Sequence, residues 1–305
     1  MKFKSLKIKN FKQFIDEEIN FSTDTEKNIT LISGANATGK TTIIEVMKWC
    51  LFGKCNNLSE NILNKKIQDN LNNGEKITIE VNLVLLLNEI EYLIKRTQTY
   101  EKTEQIKSIN SDFNITSRNE KIENLNLEYF KFLFLDESSI FYNFQNDNWL
   151  QLLDDSFDKE QIIKIKNKSK ELFNLLTSAY GRNIKDSDID SFCLAGGEQI
   201  IFKISTILSI QNIVTEKLFK KTFLMPLIVD SVMSALNRTK MEVISKKIPL
   251  LTNQFIVLCK KDVESNIIQQ AAINKIGQFY TLNPILSDDI YTVLQTQILE
   301  KSNGI

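Results

Sequence analysis

A phosphate-loop pattern constrains the fold of this chain more than any other feature. The pattern G-x-x-x-x-G-K-[ST] is filled in order by Gly34, Ala35, Asn36, Ala37, Thr38, Gly39, Lys40 and Thr41. The apolar run "NITLIS" precedes it and is suited to a buried central strand. Apolar residues at helical spacing follow it as far as Gly53, the expected C-cap. A strand, a glycine-containing loop and a helix in this order predict a nucleotide site, because loop N–H groups and a helix N-terminus attract phosphates.

Each residue type in the loop has a chemical reason. The glycines let backbone N–H groups curl round the phosphates, Lys40 reaches the β- and γ-phosphates, and the Thr41 hydroxyl can bind Mg²⁺. We therefore predict ATP and Mg²⁺ as cofactors, with nucleotide contacts extending to Thr42. The alternative is a glycine-containing turn that binds nothing.

Two further segments have the order expected of an ATP-hydrolysing protein. The first is a Gly-Gly pair that begins an apolar helix, in the segment Leu194, Ala195, Gly196, Gly197 and Glu198. It could form a second anion-binding nest. The alternative is a simple turn that caps the helix. Asp230 ends the apolar run "LIVD". Downstream of a phosphate loop it is the expected partner of Mg²⁺, and alone it would be a turn residue or helix N-cap.

Composition narrows the classes of protein that remain. The 38 basic residues equal the 38 acidic ones, so no global charge draws the chain to nucleic acid. No apolar run approaches the ~20 residues that span a bilayer, so we predict no membrane association. The chain has no histidine, which excludes histidine-dependent catalytic triads and metal sites. Four cysteines lack metal-ligand spacing and suggest a reducing cytoplasm: Cys50, Cys55, Cys193 and Cys259.

Strand and helix patterns alternate along most of the chain. They predict an α/β protein with helices on the faces of a sheet, and a β-hairpin that turns at Asn88–Glu89. The Asn-rich segment from Cys55 to Asn73 is predicted to be a polar loop, and the C-terminal part is mixed and polar.

The motifs together resemble an ABC-type ATPase head of the SMC/RecF class. The resemblance is carried by "LKIKNFKQF", "ITLISGANATGKTTIIEVMKWCLFGK", "EIEYLIKR", "LAGGEQ" and "QFIVLCKKD". "FLFLDESSI" is most similar to the corresponding segment of DndD-like ATPases. The resemblance implies a P-loop NTPase fold with a mixed central sheet, flanking helices and an N-terminal antiparallel β lobe. It implies an N-lobe at 1–140, a C-lobe at 191–305, and a short helical connector at 141–190 in place of a long coiled coil.

The resemblance also assigns expected roles to single residues. Lys12 would lie near the nucleotide, and Asp136 would occupy a metal-sensing position. The segment from Leu194 to Glu198 would be a signature motif acting on the partner head's nucleotide. A D-loop would be formed by Ser234, Ala235, Leu236 and Asn237.

Three departures from the family pattern lie on the γ-phosphate side. Ser231 stands where the general base is expected, Lys260 stands where a switch histidine is expected, and Ala195 replaces a signature serine. Since serine cannot accept a proton unaided at neutral pH, the sequence predicts ATP binding with slow hydrolysis.

The functional prediction is an ATP-dependent switch. The resemblance implies two heads that close on two ATP molecules and control an effector, such as a nuclease, in DNA defence or repair. Two alternatives stay open: a scaffold protein that holds ATP without hydrolysing it, and a DNA-stimulated repair ATPase. The basic N-terminal residues could contact DNA, or could be the solvated face of an edge strand; they are Lys2, Lys4, Lys7, Lys9 and Lys12.

Overall fold

The chain is described by a computed structural model. It describes residues 1–53, 62–118, 120–122, 127–135, 157–178, 194, 196–219, 224–230, 232–286 and 290–297. The strands in chain order are β1 (Lys2–Phe11), β2 (Phe14–Asn20), β3 (Ile29–Gly34), β4 (Lys76–Leu87), β5 (Ile90–Lys102), β6 (Ile106–Ser117), β7 (Glu120–Lys121), β8 (Phe134–Leu135), β9 (Pro226–Asp230), β10 (Gln254–Lys260), β11 (Ile276–Leu286) and β12 (Ile290–Thr296).

Six α-helices lie in the described part of the chain. They are α1 (Lys40–Phe52), α2 (Lys65–Asn70), α3 (Lys159–Thr177), α4 (Gly196–Phe219), α5 (Arg238–Leu251) and α6 (Val263–Ala272). Short 3₁₀ helices cover Glu128–Leu133, Val232–Ala235 and Ile273–Lys275. None of the helices in these ranges has the length and apolar character needed to cross a membrane.

The strands form two six-stranded sheets. The N-terminal sheet has the order β2-β1-β4-β5-β6-β7, and every neighbouring pair is antiparallel. The central sheet has the order β12-β11-β3-β10-β9-β8; its pairs are parallel except β11 with β12. Every residue of β3 and β9 is buried, as expected for strands covered on both faces.

The register of the central sheet brings three strand ends to one edge. Lys260 of β10 pairs with Gly34 of β3, and Leu258 of β10 pairs with Asp230 of β9. Because these strands are parallel, their carboxyl ends meet there, and ligands of open α/β sheets bind outside such ends. The fold therefore places the phosphate loop beside Asp230 and Lys260.

A buried glutamine joins the two sheets. The Gln254 side chain accepts from the Phe3 N–H at 2.8 Å and donates to the Phe3 carbonyl at 2.7 Å and the Ser22 carbonyl at 2.8 Å. On the other side of β3, the Tyr280 hydroxyl donates to the Asn20 carbonyl at 2.9 Å. The sheets thus share one continuous hydrophobic core.

The predicted fold class is confirmed. The structure has a mixed central sheet with flanking helices and an N-terminal antiparallel lobe, as the sequence predicted. The predicted hairpin is β4–β5, whose two turn residues have positive φ values, Asn88 at 50° and Glu89 at 63°.

Two local predictions are wrong, and the structure defines one segment for which no element was predicted. The edge-strand interpretation of the lysine-rich N-terminus fails because β1 lies between β2 and β4. The C-terminal part forms β11 and β12, which extend the central sheet beyond β3. The loop predicted from Cys55 to Asn73 contains α2, whose first turn is capped by the Asn64 side chain accepting from the Ile67 N–H at 3.2 Å.

The lobe boundaries predicted from the sequence stay a prediction. Strands from both predicted lobes belong to the central sheet, β3 and β8 from 1–140 and β9 to β12 from 191–305. The predicted connector at 141–190 lies outside the described residues except for 157–178, which contain α3.

Candidate nucleotide site

The phosphate loop connects buried β3 to the N-terminus of α1. Gly39, the N-cap of α1, has φ 100°, and an added Cβ there would lie 2.5 Å from Gln13 Nε2. A Cβ on Gly34 would lie 2.3 Å from Thr38 Oγ1. Ala37 has φ 63°, in the left-handed region that glycine adopts without penalty. The backbone therefore follows a tight path in which two positions require glycine and one alanine is strained.

The Lys40 side chain lies inside this loop. Its Nζ donates to the Gly34 carbonyl at 2.8 Å and to the Ala35 carbonyl at 2.7 Å. Burial lowers the pKa of Lys40 below its usual value, and the Asp230 carboxylate partly opposes that shift. The ammonium is thus held by neutral carbonyls in a poorly solvated position, where an anionic ligand would be a stronger partner.

Thr41 and Asp230 meet although they are far apart in the sequence. The Thr41 hydroxyl donates to Asp230 Oδ2 at 2.7 Å, and Asp230 is buried at the end of β9. A hydroxyl and a carboxylate are hard oxygen ligands, and Mg²⁺ is usually bound by one or two such groups together with substrate phosphates. The donor set therefore fits Mg²⁺. Asp136, the third predicted metal residue, lies outside the described residues.

Lys260 lies at the same edge, at the end of β10. Its backbone N–H donates to Glu264 Oε2 at 2.9 Å, while its side chain is exposed. Lys261, the residue after β10, is connected to the phosphate loop, because its N–H donates to the Gly34 carbonyl at 3.1 Å. Gly34 thus accepts from both Lys40 Nζ and the Lys261 backbone.

A cavity of about 690 Å³ opens beside Lys260. Two of the predicted D-loop residues, Ser234 and Leu236, line it together with Arg238 and the first turn of α6. The D-loop segment and the switch position are therefore neighbours in the structure.

The signature segment packs against the D-loop of the same chain. A Cβ on Gly197 would lie 3.1 Å from the Ala235 carbonyl. Glu198 is buried, and its Oε1 lies 3.8 Å from Lys240 Nζ. Gly196 begins α4, and the Leu194 carbonyl accepts from Gln199 Nε2 at 3.0 Å. Ala195 and Ser231 lie outside the described residues.

Asn237 has a structural role in the chain. Its side chain accepts from the Lys240 N–H at 3.0 Å and caps α5. Its predicted function in a D-loop stays a prediction.

Lys12 is close to the phosphate-loop helix but is held by an acidic partner. Its Nζ lies 2.8 Å from Glu45 Oε2 on α1, and both side chains are mostly buried. Lys2 Nζ donates to the Thr23 carbonyl at 2.6 Å, and Lys4 pairs with Glu91. Nucleotide contact by Lys12 stays a prediction.

Gln13 and Thr292 were missed by the sequence reasoning. Gln13 Nε2 donates to Thr42 Oγ1 at 3.0 Å, and the Thr292 hydroxyl donates to the Thr38 carbonyl at 3.0 Å. Gln13 lies in the segment "LKIKNFKQF", but no motif gives it a role, and no motif marks Thr292. The β1–β2 turn supplies Gln13, and β12 supplies Thr292.

Comparisons with known proteins identify the family and the fold. The AAA_23 family model, an AAA domain, matches residues 5–218 of the chain. Two relatives from Staphylococcus aureus, strains JH9 and Newman, each named as a component of the nuclease SbcCD, are 33% identical over 117 residues. That alignment covers 38% of this chain but only 11% of each relative, so the chain spans a small part of their length.

Two solved structures with a similar fold are SMC heads. The SMC head domain from Thermotoga maritima superposes with a TM-score of 0.53 at 18% identity, covering 98% of this chain and 100% of that one. An SmcHead bound to the C-winged helix domain of ScpA has a TM-score of 0.60 at 15% identity, covering 97% of this chain and 98% of that one. The more specific resemblance to DndD-like ATPases stays a prediction.

Proposed function

Because the chain belongs to the AAA_23 family of AAA domains and is an ATPase head of the SMC/RecF class, we propose that it is an ATP-dependent switch. It binds Mg·ATP, pairs with a second head in the bound state, and returns to the free state by slow hydrolysis. One observation carries the proposal: Lys40, Thr41 and Asp230 meet at the carboxyl edge of the central sheet.

The chain's own residues supply binding and orientation. The loop N–H groups and the N-terminus of α1 hold the phosphates, and Lys40 leaves the carbonyls of Gly34 and Ala35 to contact them. Thr41 and Asp230 would hold Mg²⁺, which neutralises phosphate charge when bound. Binding is therefore supported by a complete set of residues.

Slow hydrolysis follows from residues on the γ-phosphate side. Ser231 and Lys260 stand where a general base and a switch histidine are expected, and losing one transition-state donor typically costs about 10²–10³-fold in rate. A switch that holds its state for long periods matches this chemistry better than a fast motor.

Pairing of two heads is supported by the position of the signature segment. In the family, this segment acts on the nucleotide of a partner head. Here Gly197 packs on the D-loop, so both segments form one surface that a second copy can contact. We propose a homodimer with ATP between the heads.

The effector is proposed from the relatives. Their name makes them components of a nuclease, SbcCD. The predicted partner of this head is accordingly a nuclease or a similar effector, acting in the cytoplasm in DNA repair or defence. Direct DNA contact is a weaker part of the proposal, since Lys2, Lys4 and Lys12 already have partners in the chain.

A nucleotide titration and a phosphate-release assay test this function. The wild-type protein should bind ATP, and Lys40→Ala should lose binding, with Lys48→Ala on the same helix as the matched control. Slow phosphate release that DNA leaves unchanged supports the switch. No release over hours supports the scaffold, and strong acceleration by DNA supports a repair ATPase. A wild-type protein that binds no ATP refutes all three.

A further inference from the structure

Two residues outside the phosphate-loop motif hold the loop from opposite sides. Thr292 on β12 donates through its hydroxyl to the Thr38 carbonyl at 3.0 Å, and it is buried. Gln13, in the β1–β2 turn, donates through Nε2 to Thr42 Oγ1 at 3.0 Å. The two residues also contact each other, because the Thr292 N–H donates to the Gln13 carbonyl at 3.0 Å.

The contact with β12 has a structural origin. β12 is the edge strand of the central sheet, so one side of its backbone lacks a strand partner. The N–H groups on that side, from alternating residues Thr292 and Leu294, donate to the Gln13 carbonyl at 3.0 Å and to Glu17 Oε2 at 3.2 Å. The β1–β2 hairpin therefore covers this edge and fixes Thr292 and Gln13 relative to the loop.

The Thr292 hydroxyl sets the direction of one N–H group. In a trans peptide the C=O and the following N–H point in opposite directions, and none of the described peptide bonds is cis. Because Thr292 holds the Thr38 carbonyl, the N–H of Gly39 is directed away from β12. In a phosphate loop such N–H groups bind the ligand.

The Gln13 amide sets the direction of one hydroxyl. A threonine hydroxyl has one proton and two lone pairs. Gln13 Nε2 occupies a lone pair of Thr42 Oγ1, so the proton of Thr42 stays available to donate elsewhere. Thr42 belongs to the first turn of α1, where phosphates are attracted.

The same contacts explain how the loop keeps an unfavourable conformation. Ala37 has φ 63° and is exposed, so nothing packed around its side chain enforces that angle. Such conformations persist only where the surrounding structure determines them. Thr292 holds the carbonyl of Thr38, the residue that follows Ala37, and so restricts the backbone next to the strained residue.

We propose that Thr292 and Gln13 are positioning residues of the nucleotide site. Through Thr38 and Thr42 they hold phosphate-binding donors in place before the nucleotide arrives, so the C-terminal strand β12 is a component of the site. The inference rests on the proposed ATP binding.

Nucleotide affinity and apo stability, measured together, test Thr292. Thr292→Val removes the hydroxyl and keeps the shape, and Thr292→Ser keeps the hydroxyl. The dissociation constant for a non-hydrolysable ATP analogue should rise about tenfold in Thr292→Val, the upper range for one hydrogen bond, and about twofold or less in Thr292→Ser. Wild-type affinity in a folded Thr292→Val protein overturns the role of Thr292.

A double-mutant cycle tests the role of Gln13, and it requires no substitution of the buried residue Thr292. Gln13→Met should weaken analogue binding several-fold in the wild type and have no further effect in a Thr42→Val background, because the amide acts through that hydroxyl. Equal effects in both backgrounds overturn the role of Gln13. If the wild type binds no analogue, the proposed function itself has failed; if it binds and the variants match it, only the positioning role has failed.

Discussion

Replacing Ala37 with glycine should stabilise the nucleotide-free protein. Ala37 has φ 63°, and a left-handed backbone costs a residue with a Cβ about 1–2 kcal/mol. Glycine relieves that cost but gains freedom in the unfolded chain, which offsets about 0.5–1 kcal/mol. Because the Ala37 side chain is exposed, no packing is lost. The expected net gain in the free energy of unfolding is about 0.5–1 kcal/mol.

Ala35 is a matched control in the same loop. It is exposed like Ala37, but it is not among the described residues with positive φ. Ala35→Gly therefore gains only unfolded-state freedom and should lose about 0.5–1 kcal/mol. The Ala35 carbonyl accepts from Lys40 Nζ at 2.7 Å in either case, because the substitution leaves the backbone in place.

Urea unfolding followed by circular dichroism measures both changes. The midpoint should move up for Ala37→Gly and down for Ala35→Gly, with the slope unchanged. If Ala37→Gly destabilises the protein as much as Ala35→Gly does, the loop is not strained at Ala37 in solution. The residues around the loop would then not be holding it in a strained conformation.

Three further predictions concern separate parts of the structure. Asp230→Asn should leave ATP affinity in EDTA within about twofold of wild type and remove most of the gain on adding Mg²⁺, measured by titration; a normal Mg²⁺ response would exclude Asp230 as a ligand. Cys50 and Cys259 should resist iodoacetamide at pH 8 in the folded protein and react after unfolding, because burial raises the pKa of Cys50 to about 12 and raises that of Cys259; peptide mass mapping would detect modification of either. Burial raises the pKa of Glu17 in the folded protein. The contribution of Glu17 to the free energy of unfolding is therefore largest at low pH and falls as the pH rises through the folded-state pKa. The melting temperature of Glu17→Gln, measured relative to that of the wild type, should therefore rise from pH 4 to pH 8; a constant difference over this range would contradict the prediction.

Local patterns were sufficient to predict the strands and the helix around the phosphate loop. Each of these elements is one short stretch of sequence: the phosphate loop, α1, β9 and β10. The strands could be recognised because they are apolar runs that end in a loop or an acidic residue. The order of these segments predicted that Thr41 and Asp230 would be neighbours, and the structure places Thr41 Oγ1 2.7 Å from Asp230 Oδ2.

Residues that act through long-range pairing could not be predicted. β11 and β12 have a weak strand pattern, since Gly277 and Pro284 interrupt β11 and polar residues continue through both strands. The place of β11 beside β3, and of β12 beside β11, depends on register with distant residues, such as Leu282 opposite Gly34. Thr292 therefore reaches the phosphate loop only through the tertiary fold.

Lysine alternation at the N-terminus was ambiguous for a physical reason. A strand with one charged face has the same pattern whether it lies at an edge or between two neighbours. Here β1 is interior to the N-terminal sheet, and Lys12 pairs with Glu45 of α1. Sequence pattern shows that a strand has a polar face, but the partner of that face depends on the rest of the fold.

The mass of the particle in solution, measured by multi-angle light scattering, tests the central claim most directly. The 305-residue chain has a mass of 35.2 kDa, and it should elute as a monomer without nucleotide. With Mg²⁺ and a non-hydrolysable ATP analogue, the wild type should double in mass, and Lys40→Ala should stay at 35.2 kDa. A wild-type protein that binds the analogue and remains a monomer would contradict the switch.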